Sequence, residues 1–431
     1  LSSSASDCYT ITTIDEWEVF VKKMATDSTH GTGQYYVLGN DLDFAGKAFH
    51  PIVNFSGTFY GLGYSLKNIN CATWQYWTGS TYVNIGTSNI AHSGFGTFCK
   101  ITNATITDLI VKDYSFQNIP QSSTLTPVTE WGPFTGAIAG VSYGNDNVLN
   151  CHTTGEVKST ITYATYFNAS GIVGTKNIAN STLLIYRCSS EIDANINVNT
   201  TNRAVMISGM LGSGGLANAI IHIYDCATNV RWTGTGAYHH VSVGVAWNVS
   251  LPTMENIVGT VDATTTIRPY SGVLTGTSSN VTEKNAYVEG KNGTASKDSI
   301  IASSRTSGTT TGSNINIVKS TTSYAPLQSS SYDALGNNVT TYSSTDIMIA
   351  SAKTFFSNNY SNIWDTDKIG GSYDPDNSPV RNYLVATITF KNLLSGDKEE
   401  DITSVPTDDY MQGDVLPSAS NNANFASYIA S

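Results

Sequence analysis

The sequence predicts an all-β solenoid, in which short strands stack on one another along the chain. The first reason is a phrase of Ser or Thr, glycine and apolar residues that occurs six times between residues 93 and 276. Counted from the first glycine of each copy, the first three steps are 42, 35 and 38 residues, a loose period typical of repeat architectures. A unit of this size cannot bury its own apolar face, so each unit must stack on its neighbours.

The copies begin with Ser or Thr followed by glycine, except for one degraded copy. They are Ser93–Gly96, Thr135–Gly140, Ser170–Gly174, Ser208–Gly212, the degraded Ser242–Val245, and Ser271–Gly276. A second apolar strand follows each phrase, and three of these strands carry a cysteine at matching places, Cys151, Cys188 and Cys226. We interpret the three as a column of small buried residues.

The cysteines leave disulfide formation open. Two of the three repeat cysteines could pair only if their strands are neighbours at the required Cα separation. Cys8, Cys71 and Cys99 flank the N-terminal part, and one pairing among them is expected if the protein is exported. None of the six has the spacing of a metal site such as C-x-x-C.

Composition supports β-structure and excludes some partners. Of 431 residues, 40% are hydrophobic and only 13% are charged, while Ser, Thr, Asn, Gly and Tyr supply strands and turns. The net charge of -11 argues against nucleic acid, because neutralising phosphates needs clustered Lys and Arg. No apolar run reaches the length of a transmembrane helix. The low charge and Ser/Thr/Asn richness are typical of secreted and cell-surface proteins.

The N-terminal segment, residues 1–34, predicts a capping helix. Thr13 and Glu16 form a capping box, and apolar residues follow at helical spacing. That stripe consists of Ile14, Trp17, Phe20, Val21 and Met24. We interpret the helix as a lid over the first strands, because an open β-edge invites aggregation. A partner-binding amphipathic helix is the alternative.

Residues 35–69 carry a resemblance to a known family. The strand that ends Asn40-Asp41-Leu42-Asp43-Phe44, the Pro51-Ile52 pair and the run Phe55-Ser56-Gly57-Thr58-Phe59-Tyr60-Gly61-Leu62-Gly63 resemble bacterial surface proteins with GLUG-type repeats. Tyr60, Leu62 and Tyr64 stand where that family commonly has Asp, Asn and His. The resemblance spans roughly residues 8 to 385. It implies a right-handed parallel β-helix, which we place at residues 35–343.

The C-terminal part predicts a second cap and a separate end. Residues 344–384 are expected to form a cap with a short helix from Ser344 to about Phe356, whose apolar residues are Ile347, Ile349, Ala350 and Phe355. Residues 385–431 begin with a strand and continue as a linker or tail. Ile388–Lys391 and Gly413–Pro417 also resemble part of a small β-grasp repeat of Gram-positive surface proteins.

Aromatic side chains are the candidate binding residues. Trp74, Tyr76, Trp77 and Tyr82 form the densest aromatic cluster, on an expected long loop after Cys71. Exposed aromatic rings commonly contact carbohydrate or protein, and local packing of the loop is the alternative. Trp232 and Tyr238, beside His239-His240, form a second candidate for sugar stacking. Two adjacent histidines on a strand point to opposite faces, which disfavours joint metal ligation.

Charged residues offer two weaker candidates. Asp374, Asp376 and Asn377 lie in a Gly/Pro loop that could bind Ca²⁺, although their spacing is not that of an EF-hand. No other cofactor is expected. Five residues after the repeat cysteines come Glu156, Asp193 and Arg231, which would form an outward column if the strands stack. Two interpretations of this column are open, a solvated charge ladder and a catalytic wall.

We therefore predict a non-catalytic extracellular surface or appendage protein. It would be adhesin-like, with host or neighbouring-cell glycans or proteins as partners, or a structural subunit that assembles with copies of itself through a terminal strand. The alternative is a polysaccharide-binding or polysaccharide-degrading β-helix enzyme, which would need carboxylates on the outer wall.

Overall fold

The structure is a computed structural model of the whole chain. It describes residues 8–85, 94–120, 133–162, 166–198, 204–214, 219–234, 238–249, 251–263, 275–278, 282–291, 311–318, 339–380, 382–383, 389–392, 399–401 and 410–411. The described residues are mostly β, with 55% of them in strands. The two α-helices of the described residues are α1, Ile14–Thr26, and α2, Thr345–Asn359, and a short 3-10 helix spans Thr366–Lys368.

In chain order the first strands are β1 Cys8–Ile11, β2 Tyr35–Leu38, β3 Leu42–Asp43, β4 Ile52–Phe55, β5 Thr58–Tyr60, β6 Ser65–Lys67, β7 Asn70–Cys71, β8 Gln75–Trp77, β9 Tyr82–Asn84, β10 Gly94–Phe95, β11 Phe98–Ile101, β12 Thr105–Thr107, β13 Ile110–Gln117, β14 Phe134–Gly136, β15 Ala139–Ser142, β16 Asp146–Leu149 and β17 His152–Ile161. They continue with β18 Tyr166–Ser170, β19 Val173–Lys176, β20 Thr182–Tyr186, β21 Ser189–Val198, β22 Ala204–Ser208, β23 Leu211–Ser213, β24 Ile220–Trp232, β25 Tyr238–Ser242, β26 Val245–Val249, β27 Leu251–Ala263, β28 Thr275–Ser278, β29 Thr282–Lys291, β30 Thr311–Val318, β31 Val339–Tyr342, β32 Asn382–Tyr383, β33 Thr389–Asn392, β34 Glu399–Asp401 and β35 Tyr410–Met411.

Almost all of these strands pair in parallel with the equivalent strand of the next unit. One unit contributes β14, β15, β16 and β17, and the next contributes β18, β19, β20 and β21 in the same order. Each of the four strands of the first unit pairs in parallel with its counterpart in the second. Three long parallel sheets result, and every complete unit adds to all three. The predicted stacking of units is thus present in the described residues.

The interior of the stack contains the predicted cysteine column. Cys151, Cys188 and Cys226 are fully buried in one continuous apolar cluster. The backbone N–H of Cys151 lies 3.5 Å from the Cys188 sulfur, so successive side chains touch. All five cysteines whose side chains are described are free thiols, so neither Cys71 nor Cys99 forms the disulfide expected among Cys8, Cys71 and Cys99 of an exported protein. The Cys8 side chain lies outside the described residues.

The strand register aligns copies of the repeated phrase by their last glycine, whereas the predicted period counts from the first glycine of each copy. Ala139 pairs with Val173 and Val173 with Leu211, which aligns the second glycine of each phrase, Gly140 with Gly174 and both with Gly212. A Cβ on Gly140 would lie 2.2 Å from the backbone nitrogen of Phe95, in the preceding unit. Glycine is therefore required at this position because two sheets approach too closely for a side chain.

A column of polar residues in left-handed backbone conformation runs along the large sheet, between short strands in the earlier units and within the long strands β24, β27, β29 and β30 in the later ones. Its members have φ between 51° and 60° and are Asp108, Asn150, Arg187, Asp225, Asn256, Asn285 and Asn314. Each of the last three members donates through its side-chain amide to the side-chain oxygen of the preceding member of the column, at 2.7 to 3.0 Å. Asn and Asp tolerate this conformation better than most residues, which explains why they recur here.

Helix α1 is the predicted N-terminal lid. Thr13 is its N-cap, and both hydrogen bonds of the capping box with Glu16 are present. The buried residues are Trp17, Phe20, Val21 and Met24, as the stripe predicted, together with Glu16. Phe20 stacks on Phe59 at 5.8 Å and Trp17 on Phe49 at 5.9 Å, so the helix covers the first strands.

Helix α2 begins after the N-cap Ser344, where the predicted helix starts, and its buried face differs from the predicted set of apolar residues, of which Ile349 and Phe355 are partly buried. The buried residues are Met348, Ala352 and Phe356, four apart on one face, whereas Ile347 is 52% exposed. Ile347, Ile349, Ala350 and Phe355 do not share one helical face, so they could not all have been buried. The pattern i, i+4, i+8 was available in the sequence.

Helix α2 and the segment that follows it lie on the outer face of the large sheet, and we call residues 345–380 the C-terminal strap. Because Cys226 points into the interior, its neighbour Ala227 points outward. Ala227, Val258 and Tyr287 belong to a second apolar cluster together with Phe356 and Trp364 of the strap. The strap thus buries an outward apolar column of the sheet.

The end of the chain is described only in short strands. Strand β33 pairs in parallel with β1 at the N-terminal edge of the large sheet and antiparallel with β34. The Gly413–Pro417 fragment lies outside the described residues. The last copy of the repeated phrase is described only from Thr275, the start of β28.

Candidate functional site

The predicted aromatic cluster forms a hairpin that departs from the parallel pattern of the sheets. Strands β8 and β9 pair antiparallel, with Gln75 opposite Asn84 and Trp77 opposite Tyr82. The turn is closed by the N–H of Thr78, which donates to the carbonyl of Thr81 at 3.0 Å. We call residues 75–84 the aromatic hairpin. Because side chains alternate along a strand, Gln75, Trp77, Tyr82 and Asn84 lie on one face.

The hairpin is anchored at its base and leans on α1. The indole N–H of Trp74 donates to the carbonyl of Gln117 at 2.9 Å, and its ring packs edge-on against Phe95 and Phe116. At the other end, the Tyr82 hydroxyl donates to Glu18 of α1 at 2.5 Å. The hairpin is therefore fixed at two points, and the face that carries Trp77 and Tyr82 lies beside α1.

Tyr82, His50 and Glu18 form a tight group beside this face. The rings of His50 and Tyr82 stack with centroids 3.7 Å apart and planes 9° apart. Glu18 accepts from Tyr82 through Oε2 and lies 2.7 Å from His50 Nδ1 through Oε1. Burial, and then the hydrogen bond with the Glu18 carboxylate, raise the pKa of the Tyr82 hydroxyl well above its usual value. The phenol is thus neutral and acts as a donor.

Two lysines of α1 lie over aromatic rings, Lys22 over the hairpin and Lys23 over a tyrosine of β1. The Lys22 ammonium is 4.8 Å from the centroid of the Trp77 ring and 5.9 Å from that of Tyr82. The Lys23 ammonium is 4.7 Å from the centroid of the Tyr9 ring. Trp77 and Tyr82 are half-buried and Lys22 is exposed, so the arrangement presents an aromatic face, amides and a cation to solvent.

The structure separates the sequence-predicted aromatic residues. Trp77, Tyr76 and Tyr82 are half-buried and belong to the aromatic hairpin. Trp74 is only 2% exposed and Trp232 is fully buried, and both belong to the interior cluster. These two assignments were wrong, because their indoles fill the core and cannot reach a ligand in solvent. The side chains of Tyr238, His239 and His240 lie outside the described residues.

The candidate Ca²⁺ loop is a hydrogen-bonded turn. Asp374 accepts from the backbone N–H groups of Asp376 and Asn377 at 2.9 and 3.0 Å, and from the Ser372 hydroxyl at 2.7 Å. Burial raises the Asp374 pKa, but these hydrogen bonds outweigh it and leave the pKa below its usual value. Asp376 pairs with Lys112. Among the described residues, no group of three or more His, Cys, Asp or Glu has an arrangement suited to a metal ion.

The predicted charge column exists. Glu156 pairs with Asp193, and Asp193 with Arg231, as in-register neighbours on adjacent strands. Arg231 Nε donates to Asp193 at 2.7 Å, and Glu156 accepts from Ser115 at 2.7 Å and lies 2.6 Å from Lys158. These side chains are substantially exposed, and each acid is engaged by a neighbour, as in a solvated ladder.

Sequence reasoning missed the helix residues of the site. Glu18 and Lys22 are four apart and therefore share one face of α1, next to the buried stripe that was predicted. That spacing was visible in the sequence. What could not be seen is that a hairpin some sixty residues later would lie against this face, since Tyr82 and Glu18 are 64 residues apart.

No protein-family model matches the chain, and no curated protein or solved structure matches it either. None of the helices in the described ranges has the length and hydropathy needed to cross a bilayer.

Proposed function

We propose that this chain is a right-handed parallel β-helix that serves as a non-catalytic, adhesin-like protein at the cell surface or outside the cell. The fold proposal is supported by the in-register parallel pairing of successive units and by the resemblance of residues 35–69 to GLUG-type surface proteins. Stacked parallel strands give a rigid support for a contact site.

The observation that carries the adhesive role is the aromatic hairpin. It interrupts the repeating units, is fixed to α1, and leaves Trp77 half-buried beside an exposed lysine. Half-buried aromatic rings on a rigid scaffold contact sugars and proteins at low entropic cost. The contact partners would be glycans or proteins of another surface.

A role outside the cell is compatible with the cysteines. The five described thiols are buried, and burial raises the pKa of Cys71 and Cys99, which disfavours the reactive thiolate. Buried thiols of this kind survive in an oxidising compartment without a disulfide partner.

A self-assembling subunit is the second candidate, and one pairing bears on it. Strand β33 adds in parallel to the edge strand β1. A neighbour's strand could bind the same edge by β-augmentation. Within this chain, however, the edge is already occupied, and for this reason we place the adhesive role first.

The proposal is tested by a glycan array combined with an assay for released reducing ends. The wild-type chain is expected to bind a subset of glycans without cleaving them, and Trp77→Ala is expected to lose this binding. Tyr143→Ala is the matched control, because Tyr143 is also half-buried under a lysine, Lys100, but outside the hairpin. Release of reducing ends would establish the alternative, a polysaccharide-degrading enzyme. Binding that survives Trp77→Ala would overturn the assigned site.

A further inference from the structure

One lysine of α1 faces the aromatic hairpin without a carboxylate partner. Lys22 belongs to no ion pair among the described residues, although Lys67, Lys158 and Lys291 each lie within 3.3 Å of a carboxylate oxygen. Its neighbour Lys23 lies over the Tyr9 ring in β1 and not over the hairpin, so Lys22 is the cation that the hairpin meets.

The nearest acid on the same helix face is already engaged. Glu18 lies four residues before Lys22, a spacing at which Glu and Lys commonly pair. Its Oε1 contacts His50 at 2.7 Å and its Oε2 accepts from Tyr82 at 2.5 Å. Lys22 lies instead over the Trp77 ring. Its ammonium is therefore free to meet an external anion.

The hairpin face that carries Gln75, Trp77 and Asn84 suits a hydroxyl-rich ligand more than a protein surface. Gln75 donates to Asn84 at 3.0 Å on the face that carries Trp77, so amide groups flank the ring. Among the described residues, Ile347 on α2 is the one large hydrophobic side chain that is exposed, so the hairpin offers no extended apolar patch of the kind that protein interfaces use.

We propose that Lys22, Trp77 and the flanking amides of Gln75 and Asn84 bind an acidic glycan, a polysaccharide that carries uronate residues. The apolar face of one sugar packs on the Trp77 ring. The flexible Lys22 side chain swings from the ring to the carboxylate of that sugar. This inference rests on the proposed adhesive function and names its ligand class.

The test compares a tetragalacturonate with its fully methyl-esterified, neutral counterpart by isothermal titration calorimetry at low and high salt. The wild-type chain is expected to bind the acid about tenfold more tightly than the ester, as one charge-assisted contact predicts, and high salt should reduce the difference. Lys22→Gln should lose this preference and leave binding of the ester unchanged. Trp77→Ala should lose both ligands.

Lys100→Gln is the matched control, because Lys100 also lies over a ring, that of Tyr143, but on a sheet strand away from the hairpin. It should bind like the wild type. Equal affinity for acid and ester, or an acid preference that survives Lys22→Gln, would overturn the acidic-glycan inference while array binding through Trp77 upheld the adhesive function. If the acid preference were absent and no glycan or protein were bound through Trp77, the inference and the proposed function would be overturned together.

Discussion

Single residues show where the fold places ionisable groups against their ordinary preference. Glu283 pairs in register with Met254, an interior residue, and is itself fully buried. Neither of its carboxylate oxygens has a hydrogen-bond partner in the part of the chain that the structure describes. Burial raises the pKa of Glu283 to about 8, because a carboxylate loses its hydration there. The group is thus protonated in the folded chain near neutral pH.

Glu283→Gln is expected to stabilise the chain at alkaline pH. The raised pKa of Glu283 favours the folded state at pH values below the unfolded-state pKa of 4.5. This contribution is lost as the pH rises through the folded-state pKa of about 8. Glutamine keeps the shape without the charge. The free energy of unfolding in urea should rise by about 4 to 5 kcal/mol at pH 8.5, since each unit of pKa shift corresponds to about 1.4 kcal/mol, and change by less than about 0.5 kcal/mol at pH 4.

The control for this prediction is Glu255→Gln. Glu255 lies one residue after Met254 and faces Lys284 at 3.8 Å on the surface, so its removal should not stabilise the chain at either pH. A pH-independent effect of Glu283→Gln would contradict the assignment of a buried, uncompensated carboxyl.

At the scale of elements, the two helices differ in how far local sequence specified them. The capping box and stripe of α1 depend on residues within one turn of each other, and the structure has both as predicted. The start of α2 was equally local, since the Ser344 hydroxyl accepts from the N–H of Ile347. The buried face of α2 was not, because it depends on which sheet residues the strap meets.

The strap is held along its length by residues of three different strands, β29, β24 and β21. Thr345 donates to Glu289 at 2.7 Å, the Trp364 indole donates to Asp225 at 3.3 Å, and Asn229 donates to the carbonyl of Gly371 at 3.2 Å. Farther on, Ser372 donates to Glu191. Phe356 lies at the centre, stacked on Trp364 at 4.1 Å and tilted against Tyr287 at 5.7 Å.

Phe356→Ala is expected to loosen the strap without unfolding the sheets. The lost ring leaves a cavity that costs about 3 kcal/mol, mostly in the local opening of α2. Hydrogen exchange followed by mass spectrometry should become faster in residues 345–359 and stay slow in β21 and β24. Ile347→Ala, at a position 52% exposed, should leave both rates unchanged. Equal acceleration in the strap and in the sheets would show that the strap is not a separate cooperative unit.

For the whole molecule, the closeness of successive units sets the strictest requirement. Gly140→Ala would place a Cβ 2.2 Å from the nitrogen of Phe95 and 2.5 Å from the Cα of Gly94. Both are backbone atoms and cannot rotate away, so two sheets must separate. We expect a loss of more than about 3 kcal/mol of stability, or failure to fold, because units in a stack depend on their neighbours.

Gly371→Ala provides the control, since its Cβ would meet only the carbonyl of Lys368 at 3.5 Å. It should change stability by less than about 0.5 kcal/mol in the same thermal and urea unfolding measurements. If the two alanine variants were equally stable, the close approach at Gly140 could not be a structural requirement.

The features that could be predicted were those set by short-range patterns. Alternation and turn residues indicated stacked β-structure, a matching offset placed the three cysteines in one column, and side-chain chemistry over four residues capped α1. These depend on backbone hydrogen bonding and side-chain periodicity, which act over a few residues.

The exposure of each aromatic ring and the course of the strap depended instead on contacts between distant residues. Trp74 and Trp77 are three residues apart and were equivalent by sequence, yet the indole of Trp74 bonds to Gln117, 43 residues later, and fills the core. Trp364 bonds to Asp225 across 139 residues. Burial is a property of the partners that folding brings together, and no local pattern around either tryptophan records which partners those will be.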